Sequence, residues 1–519
     1  MSVNQRTHSL KLITVAFGVV FIAQLACARN VGPAQAPWNV SQTTPSTPTV
    51  QVQAPQITSM PAARAPGTPV TSPTPDAPHI LQPLRTEAEE YYVQAGDTLN
   101  KIAQRYGVTL DNVVDANDIS NPNYLEIGQY LLIPPPVPVG TGPDFKVIPD
   151  SELVYGPAAM EFDIEGFIRQ RGGYLASYTE EVDGFTVSGA QIVKRISGEF
   201  SVNPRLLLVV LEYRSGWVTN PNPPDETLDF PMGVYDSWRE GLYRQLAWTA
   251  DNLNRGYYLW RVNGVSNWIV DGEVILPAVT INAGTAAVQH LFSQLYDRSS
   301  WQEAVSFEGV FAIYYNLFGY PFDYTYEPLV PSNLSQPVMT LPFEPGLLWS
   351  FTGGPHGGWG DGSAWAAIDF APPGEALGCF QSNAWVVAVA DGPIIRSEFG
   401  AVVQDIESGG SPSDGLEGTG WTVLYMHIES RDRVQPGTYL HAGDKIGHPS
   451  CEGGVSTGTH LHLARRFNGE WIPADQTLPF ILDGWVSRGS GSVYNGYLEK
   501  DGNVVEAWEG RTAVNGISR

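Results

Sequence analysis

The chain has 519 residues, and this length is enough for about three or four domains. Its 41 prolines and 54 glycines favour linkers and many turns. With 29 basic and 54 acidic side chains, the formal net charge is −25. This balance argues against a nucleic-acid partner, because such binding requires clustered Lys and Arg. The acidic surface favours a soluble protein, and the sequence leaves the oligomeric state open.

The first 28 residues have the layout of a signal peptide, since basic residues precede an apolar run from 12 to 25. Cleavage after Ala28 would release a soluble protein. Lipoprotein processing before Cys27 would instead leave a lipid anchor, although Gln24 departs from the usual aliphatic residue at that position. A retained membrane anchor is a third reading. We therefore predict an exported protein, either extracellular or associated with the cell envelope.

Residues 29–90 are predicted to form a disordered linker. The segment is rich in Pro, Thr, Ala, Gln and Ser, as in the run TTPSTP at 43–48. Such a composition buries too little apolar surface to offset the entropy lost on ordering. We expect a tether that extends the reach of the domains that follow.

Residues 91–135 have the pattern of a small strand–helix–helix–strand module. The run YYVQAGDTL at 91–99 precedes IAQRYG at 102–107, and LLIP closes the pattern at 131–134. Asp97 is the predicted N-cap of a first helix that Gly107 ends. These motifs resemble LysM modules, which bind the N-acetylglucosamine-containing glycan of peptidoglycan or chitin.

The LysM resemblance implies that two loops contact the sugar. The candidate glycan-binding residues in these loops are Gly96, Asp97, Thr98, Asn121 and Pro122. In the alternative reading, Asp97 and Thr98 only cap the helix.

Residues 145–332 are predicted to form a mainly α-helical middle domain, because long amphipathic, aromatic-rich stretches dominate them. The stretch 201–217 resembles the catalytic-helix region of lysozyme-like transglycosylases. In that family an acidic residue directly precedes the Ser of the motif, whereas here Arg214 stands in that place and Glu212 lies two residues earlier. A carboxyl group must reach the leaving oxygen, so we predict that this lysozyme-like domain is non-catalytic. A glycosidase acting through Glu212 is the weaker alternative.

Residues 336–486 are predicted to form a mainly antiparallel β domain, because apolar or alternating runs alternate with Gly, Pro and Asp turns. Side chains alternate between the two faces of a strand. In the run HLHL at 460–463, His460 and His462 should therefore face a cleft together, and the two leucines should face the core. Residues 487–519 follow as an extension with a possible hairpin near Asp501-Gly502.

The candidate functional residues of this domain are mainly histidines. His356, Asp369 before Phe370, Tyr425-x-His427 and His460-x-His462 occur in that order. The order resembles the lysostaphin-like zinc endopeptidases, of the LytM type, which cut peptide bonds in bacterial peptidoglycan. The family usually places the Asp four residues after the first His, whereas here the spacing is thirteen residues across a Gly-rich insert at 357–363.

The resemblance implies a zinc ion held by His356, Asp369 and His462. It also implies that His427 and His460 divide two roles, general base and hydrogen bonding to the developing oxyanion, in an order that the sequence leaves open. In a further reading His441 or His448 replaces His356 as a ligand.

The predicted partner is peptidoglycan, with LysM on the glycan strands and the peptidase on the stem peptides. The alternative function is a catalytically silent wall-binding protein that activates another hydrolase, as some relatives do after losing ligands. This chain retains all five positions. Cys379 and Cys451 form the remaining cysteine pair of an exported chain, both in loop-like sequence, and we predict that they are bonded.

Overall fold

The computed structural model describes residues 73–406, 413–512 and 514–519. The predicted signal peptide and most of the predicted linker lie outside these residues. Within the described residues no helix is both long and apolar enough to cross a membrane.

The first folded module pairs two antiparallel strands around two short helices. Its elements are β1 Glu89–Tyr92, α1 Leu99–Arg105, α2 Leu110–Ala116 and β2 Tyr130–Ile133. The N-cap prediction was wrong by one residue, because the Thr98 hydroxyl accepts from the Lys101 amide. The Asp97 carboxylate instead accepts from the Tyr91 hydroxyl (2.6 Å) and from the Gln94 amide (2.8 Å). Gly107 follows the helix with φ +65°, as predicted for the residue that ends it.

The segment before this module differs from the predicted disordered linker. The Asp76 and His79 amides donate to the Thr280 and Val279 carbonyls, at 3.0 and 2.8 Å. The Arg85 guanidinium donates to the Pro134 carbonyl at 2.9 Å. Pro-rich sequence lacks a core of its own, but an extended chain can still satisfy its backbone groups against neighbouring loops.

The middle region, residues 138–318, combines helices with three short β-pairings. Its strands are β3 Pro138–Thr141, β4 Thr179–Val182, β5 Phe185–Ser188, β6 Trp268–Val270 and β7 Glu273–Leu276. Its helices are α3 Ile164–Arg171, α4 Gly189–Phe200, α5 Pro204–Ser215, α6 Leu242–Arg261, α7 Ala283–Ser293, α8 Arg298–Ala304 and α9 Val310–Phe318. A short 3-10 helix, Ser237–Arg239, precedes α6, which begins after Gly241 with φ +95°.

The C-terminal region is built on strands. They are β8 Trp349–His356, β9 Ala367–Ala371, β10 Val386–Val387, β11 Gly392–Glu398, β12 Ala401–Ile406, β13 Trp421–Met426, β14 Tyr439–Leu440, β15 Lys445–Gly447, β16 Leu461–Phe467, β17 Glu470–Trp471, β18 Ile481–Leu482, β19 Trp485–Gly489, β20 Gly496–Lys500, β21 Asn503–Glu506 and β22 Gly516–Ile517. The main sheet is antiparallel in the order β14-β11-β12-β13-β16-β9-β8-β22, with β17 beside β16.

The predicted boundary at residue 486 falls inside β19. Strands β18 to β21 form one antiparallel sheet, and the predicted hairpin at Asp501-Gly502 joins β20 to β21. Strand β22 adds an edge to the main sheet by pairing with β8. The residues after 486 therefore belong to the same fold as the strands before them.

The two faces of the main sheet pack into different cores, as strand alternation requires. Leu461 and Leu463 lie in a core with the C-terminal strands. Leu424, Met426 and Ala464, from the opposite face, lie in a core shared with the helices of the middle region. The middle region thus covers part of one face, and the site described next occupies another part of that face.

Candidate metal centre

Strand register brings Asp369 and His462 side by side. His462 on β16 lies directly opposite Asp369 on β9, and both side chains leave the face turned to the middle region. Directly opposed residues in an antiparallel pair have Cβ atoms about 5 Å apart. On the other side of β9, the last residue of β8 is His356, which pairs with Ala367. The Gly-rich insert loops out between these two strands, so the long spacing does not separate His356 from Asp369.

Three ligand-type atoms converge at this point and lie within 4.8 Å of one another. The Asp369 Oδ1 atom lies 3.2 Å from His356 Nε2 and 3.3 Å from His462 Nδ1. The two ring nitrogens are 2.9 Å apart. Although Asp369 Oδ1 is buried, it has no hydrogen-bond partner among the described residues. A Cβ at Gly353 would lie 2.6 Å from Asp369 Oδ2, so glycine is needed for β8 to approach this carboxylate.

Backbone carbonyls decide which ring nitrogens face the site. His356 Nδ1 donates to the Gly354 carbonyl at 2.8 Å, and His462 Nε2 donates to the Gly358 carbonyl at 3.0 Å. Because a carbonyl only accepts, each neutral ring turns an unprotonated nitrogen toward the other ring. Two facing lone pairs repel unless a cation lies between them, and this is how histidine ligands are oriented in metal sites.

The charges in the cluster favour a cation as well. Burial alone would raise the pKa of the Asp369 carboxyl, but His356 and His460 outweigh burial and hold that pKa well below its usual range. Burial lowers the pKa of His462. It acts on His356 in the same direction, yet the Asp369 charge raises the pKa of that ring overall. An ionised carboxylate oxygen that has no hydrogen-bond partner within the described residues and lies between two oriented imidazoles fits a divalent metal ion of the zinc type.

His427 and His460 form a second pair beside this cluster, with ring centroids 4.4 Å apart. Their Nδ1 atoms donate to the carbonyls of Glu452 (3.1 Å) and Gly458 (2.8 Å), which leaves both Nε2 atoms available. His460 Nε2 lies 3.8 Å from Asp369 Oδ2, on the face predicted from the alternation. Burial and then the neighbouring His460 and His462 lower the pKa of His427 to about 3.

The backbone of His427 is strained. It has φ +65°, a conformation that costs a non-glycine residue about 1–3 kcal/mol. By strand alternation residue 427 would share the face of Tyr425, away from the cleft. The left-handed turn after β13 instead turns its ring toward His460, and the Ser450 amide and hydroxyl hold the His427 carbonyl at 2.6 and 3.0 Å.

Tyr494 is a further residue of the site that was not predicted from the sequence. Its ring stacks on the His356 ring, with centroids 4.3 Å apart. Its carbonyl accepts from the Gly354 amide at 2.7 Å, and its amide donates to the Pro355 carbonyl at 3.2 Å. No motif marks this residue. The available signal was an aromatic side chain inside a Gly/Ser-rich turn, a place where aromatic residues have little reason to occur for packing.

The remaining histidine candidates lie apart from the cluster. His441 is 72% exposed and lies 3.1 Å from Asp391. His448 is buried against Trp385, with ring centroids 3.9 Å apart. The structure therefore brings together His356, Asp369 and His462 without either of the proposed substitutes.

The other predicted residues are placed as follows. Cys379 and Cys451 are bonded, with Cα atoms 5.8 Å apart, which confirms the predicted disulfide. Of the five LysM candidates, Gly96, Thr98, Asn121 and Pro122 are exposed, whereas Asp97 is partly buried. The partly buried Glu212 carboxylate accepts from the Val218 and Thr219 amides, at 2.9 and 3.1 Å.

Two family models match the chain. Residues 146–331 match a model described as "LasA, N-terminal domain", and residues 91–134 match the LysM domain. The resemblance of residues 201–217 to transglycosylases stays a prediction.

Two named relatives are similar to this chain over longer stretches or over most of their own length. "Protease LasA" of Pseudomonas aeruginosa is 26% identical over 346 residues, which are 62% of this chain and 74% of that protein. "Beta-lytic metalloendopeptidase" of Lysobacter enzymogenes is 26% identical over 177 residues, 32% of this chain and 90% of that protein. A solved structure, "A Novel M23 Metalloprotease Pseudoalterin from Deep-sea", is 23% identical and covers 36% of this chain and all of that one. Its TM-score is 0.28, and no conclusion about this chain is based on it.

Proposed function

Because this chain is a metalloendopeptidase of the lysostaphin-like (LytM) type with a LysM module, we propose that it is exported and hydrolyses peptide cross-links of bacterial peptidoglycan with zinc. One observation carries the proposal. An ionised Asp369 oxygen without a hydrogen-bond partner in the described part of the chain lies within 3.3 Å of two histidine nitrogens, and backbone carbonyls fix the other nitrogen of each ring.

The proposed ligands are His356 through Nε2, Asp369 through Oδ1 and His462 through Nδ1. When bound, zinc supplies Lewis-acid chemistry, since it polarises a carbonyl and makes water more acidic. Two neutral imidazoles and one carboxylate leave a net positive charge at the site. Tyr494 covers the outer face of the His356 ring and restricts its rotation.

His427 and His460 handle the proton in this proposal. Each keeps Nδ1 on a backbone carbonyl, so each neutral ring has an Nε2 that can accept a proton from water. One ring takes the proton as general base, and the other, with a hydrogen on Nε2, donates a hydrogen bond to the oxyanion as negative charge develops there. The close spacing of the rings allows both to act on one substrate.

Targeting to the wall rests on the LysM match and on the N-terminal sequence. Four of the five candidate glycan-binding residues lie at the surface of the module, where a glycan strand can reach them. A wall-bound substrate also requires export, in agreement with the layout of residues 1–28.

The decisive experiment combines metal analysis of the purified full chain with mass spectrometry of digested peptidoglycan. We expect one zinc per chain and peptide fragments whose masses identify the cleaved bond. His356→Ala removes one of three ligands and should lower zinc binding below stoichiometry and abolish cleavage, because a catalytic zinc takes three protein ligands. His441→Ala is the matched control and should leave both unchanged.

Two outcomes would contradict this proposal. If His356→Ala retains stoichiometric zinc and still cuts cross-links, the ligand assignment is wrong. If the wild-type chain binds zinc but releases no peptide fragment from walls, the silent regulatory alternative is correct.

A further inference from the structure

The Gly-rich insert between His356 and Asp369 is a closed loop. The Gly358 amide donates to the Ala364 carbonyl at 3.0 Å, and the Trp359 amide donates to the Ser363 hydroxyl at 3.0 Å. That hydroxyl donates in turn to the Gly360 carbonyl at 3.1 Å. Glycine widens the conformational freedom of a loop, so contacts with its surroundings must fix where this one lies.

Helix α6 of the middle region supplies such contacts. The Asp251 carboxylate accepts from the Gly362 amide at 2.8 Å. A Cβ at Gly362 would lie 1.9 Å from the Asp251 carbonyl, so loop and helix meet at backbone distance. Trp359 adds an edge-to-face contact with Phe200 of α4, with ring centroids 6.4 Å apart. The insert is therefore held by the middle region as well as by strands β8 and β9, which flank it in the chain.

The same loop orients a proposed metal ligand. The Gly358 carbonyl accepts the His462 Nε2 hydrogen, and this contact turns Nδ1 toward Asp369. A Cβ at Gly358 would lie 2.5 Å from the Trp471 ring, so Gly358 lies directly against that ring. Trp471 in turn donates through Nε1 to the Phe200 carbonyl and through its amide to the Tyr258 hydroxyl.

We propose that Asp251 is a positioning residue for the metal site and acts from the middle region through the insert on His462. The chain of contacts runs from Asp251 to Gly362, along the insert to Gly358, and from the Gly358 carbonyl to His462. The proposal rests on the proposed function, in which His462 is a ligand. It assigns the middle region a part in forming the metal centre in addition to covering the sheet.

The test measures the zinc dissociation constant of the full chain by chelator competition at neutral pH. Asp251→Ala removes the acceptor for the Gly362 amide and should weaken zinc binding up to about tenfold, the lower limit for losing a group that contacts a ligand directly. Asp251→Asn keeps an acceptor oxygen and should stay within about threefold of the wild type. Gly362→Ala forces loop and helix apart and should behave like Asp251→Ala. Cobalt substitution gives a second readout, since a shifted His462 changes the visible absorption spectrum of the bound metal.

Asp297→Ala is the matched control. Asp297 caps α8 in the same region by accepting from the Ser300 amide at 2.8 Å, with no contact to the insert. This variant should lower stability without changing zinc affinity or the cobalt spectrum. If Asp251→Ala fails to fold, the zinc affinities and cobalt spectra of Gly362→Ala and Asp297→Ala are compared instead. Weaker zinc binding in Gly362→Ala alone supports the proposal, and equal affinities overturn it.

The results separate this proposal from the proposed function. Wild-type zinc affinity and spectrum in both Asp251→Ala and Gly362→Ala, together with zinc loss in His462→Ala, would overturn the positioning role and leave the metal site intact. A wild-type chain without stoichiometric zinc would overturn both.

Discussion

The LysM module and the metallopeptidase sheet contact the middle region in opposite ways. The LysM module has a small core of its own and reaches the middle region through polar side chains. Gln104 donates to Gln294 at 3.1 Å, and Asn267 donates to the Gly107 carbonyl at 3.0 Å. The sheet instead shares one hydrophobic core with the middle helices.

Buried polar contacts reinforce the shared core. The Arg466 and Arg396 guanidinium groups both donate to the Gly198 carbonyl at the end of α4, at 3.2 and 3.3 Å. The Ser201 hydroxyl donates to the Gly469 carbonyl at 2.5 Å. From this difference we predict that the middle region and the sheet unfold as one unit and that the LysM module unfolds separately.

Among the variants that test this difference, Trp471→Ala should change the free energy of unfolding most. The side chain is 1% exposed and packs between the sheet and the middle helices. Its removal should lower the free energy of unfolding of the joint unit by about 3–5 kcal/mol. Denaturant unfolding followed by probes in both regions should show one shifted transition.

The matched variant is Ile102→Ala in the LysM core, where Ile102 is fully buried. It should destabilise the LysM transition by about 2–5 kcal/mol and leave the joint unit unchanged. If Trp471→Ala shifts the sheet but not the middle helices, the two regions do not unfold together.

Low pH should weaken the packing of the sheet against the middle region, because it protonates Glu417. Burial alone would raise the pKa of this carboxyl, but Arg396 and Arg466 outweigh burial and lower it from 4.5 to about 2. Because the folded pKa is below the unfolded one, the stabilisation is complete above pH 4.5 and is lost as the pH falls toward 2. Glu417→Gln should cost about 3 kcal/mol at neutral pH and flatten stability across this window.

Glu499→Gln provides the comparison for Glu417→Gln, since Glu499 pairs with Arg488 on an exposed hairpin. Exposed pairs contribute about 0–1 kcal/mol, so this variant should keep the acid sensitivity of the wild type. Unfolding followed from pH 2 to 7 measures both variants. If the free energy of unfolding of Glu417→Gln falls with pH as steeply as that of the wild type, the buried ion pair is not the acid-sensitive element.

The smallest effect is expected at the LysM contact. Asn267→Ala removes the donor to Gly107 and should change the stability of the joint unit by no more than about 1 kcal/mol. NMR relaxation should show the LysM module tumbling more independently. Asn252→Ala, which removes an intrahelical donor to Trp248, should leave that tumbling unchanged.

The parts of the site that follow from local rules could be predicted from the sequence. Period-two alternation places His460 and His462 on one face and Leu461 and Leu463 on the other, and the structure agrees. The resemblance to a known family supplied Asp369 and His356 in chain order.

Features that depend on distant contacts could not be predicted. Tyr494 reaches His356 through backbone pairing between residues about 140 positions apart, and no local pattern encodes it. Asp251 meets the insert only because α6 packs on the sheet. The left-handed turn at His427 departs from strand alternation, which by itself would place this ring on the opposite face of the sheet. Helix ends were also misplaced where a neighbouring residue made the better cap, as at Thr98.

The direct opposition of Asp369 and His462 has a consequence for the fidelity of folding. If β16 paired with β9 one residue out of register, His462 would move to the opposite face of the sheet and Leu461 would take its place. The leucines that fill the far core thus hold the proposed ligands in register, although none of them touches the metal site. A misregistered sheet could not retain zinc, so metal capture would select correctly folded chains at the same step that makes them active.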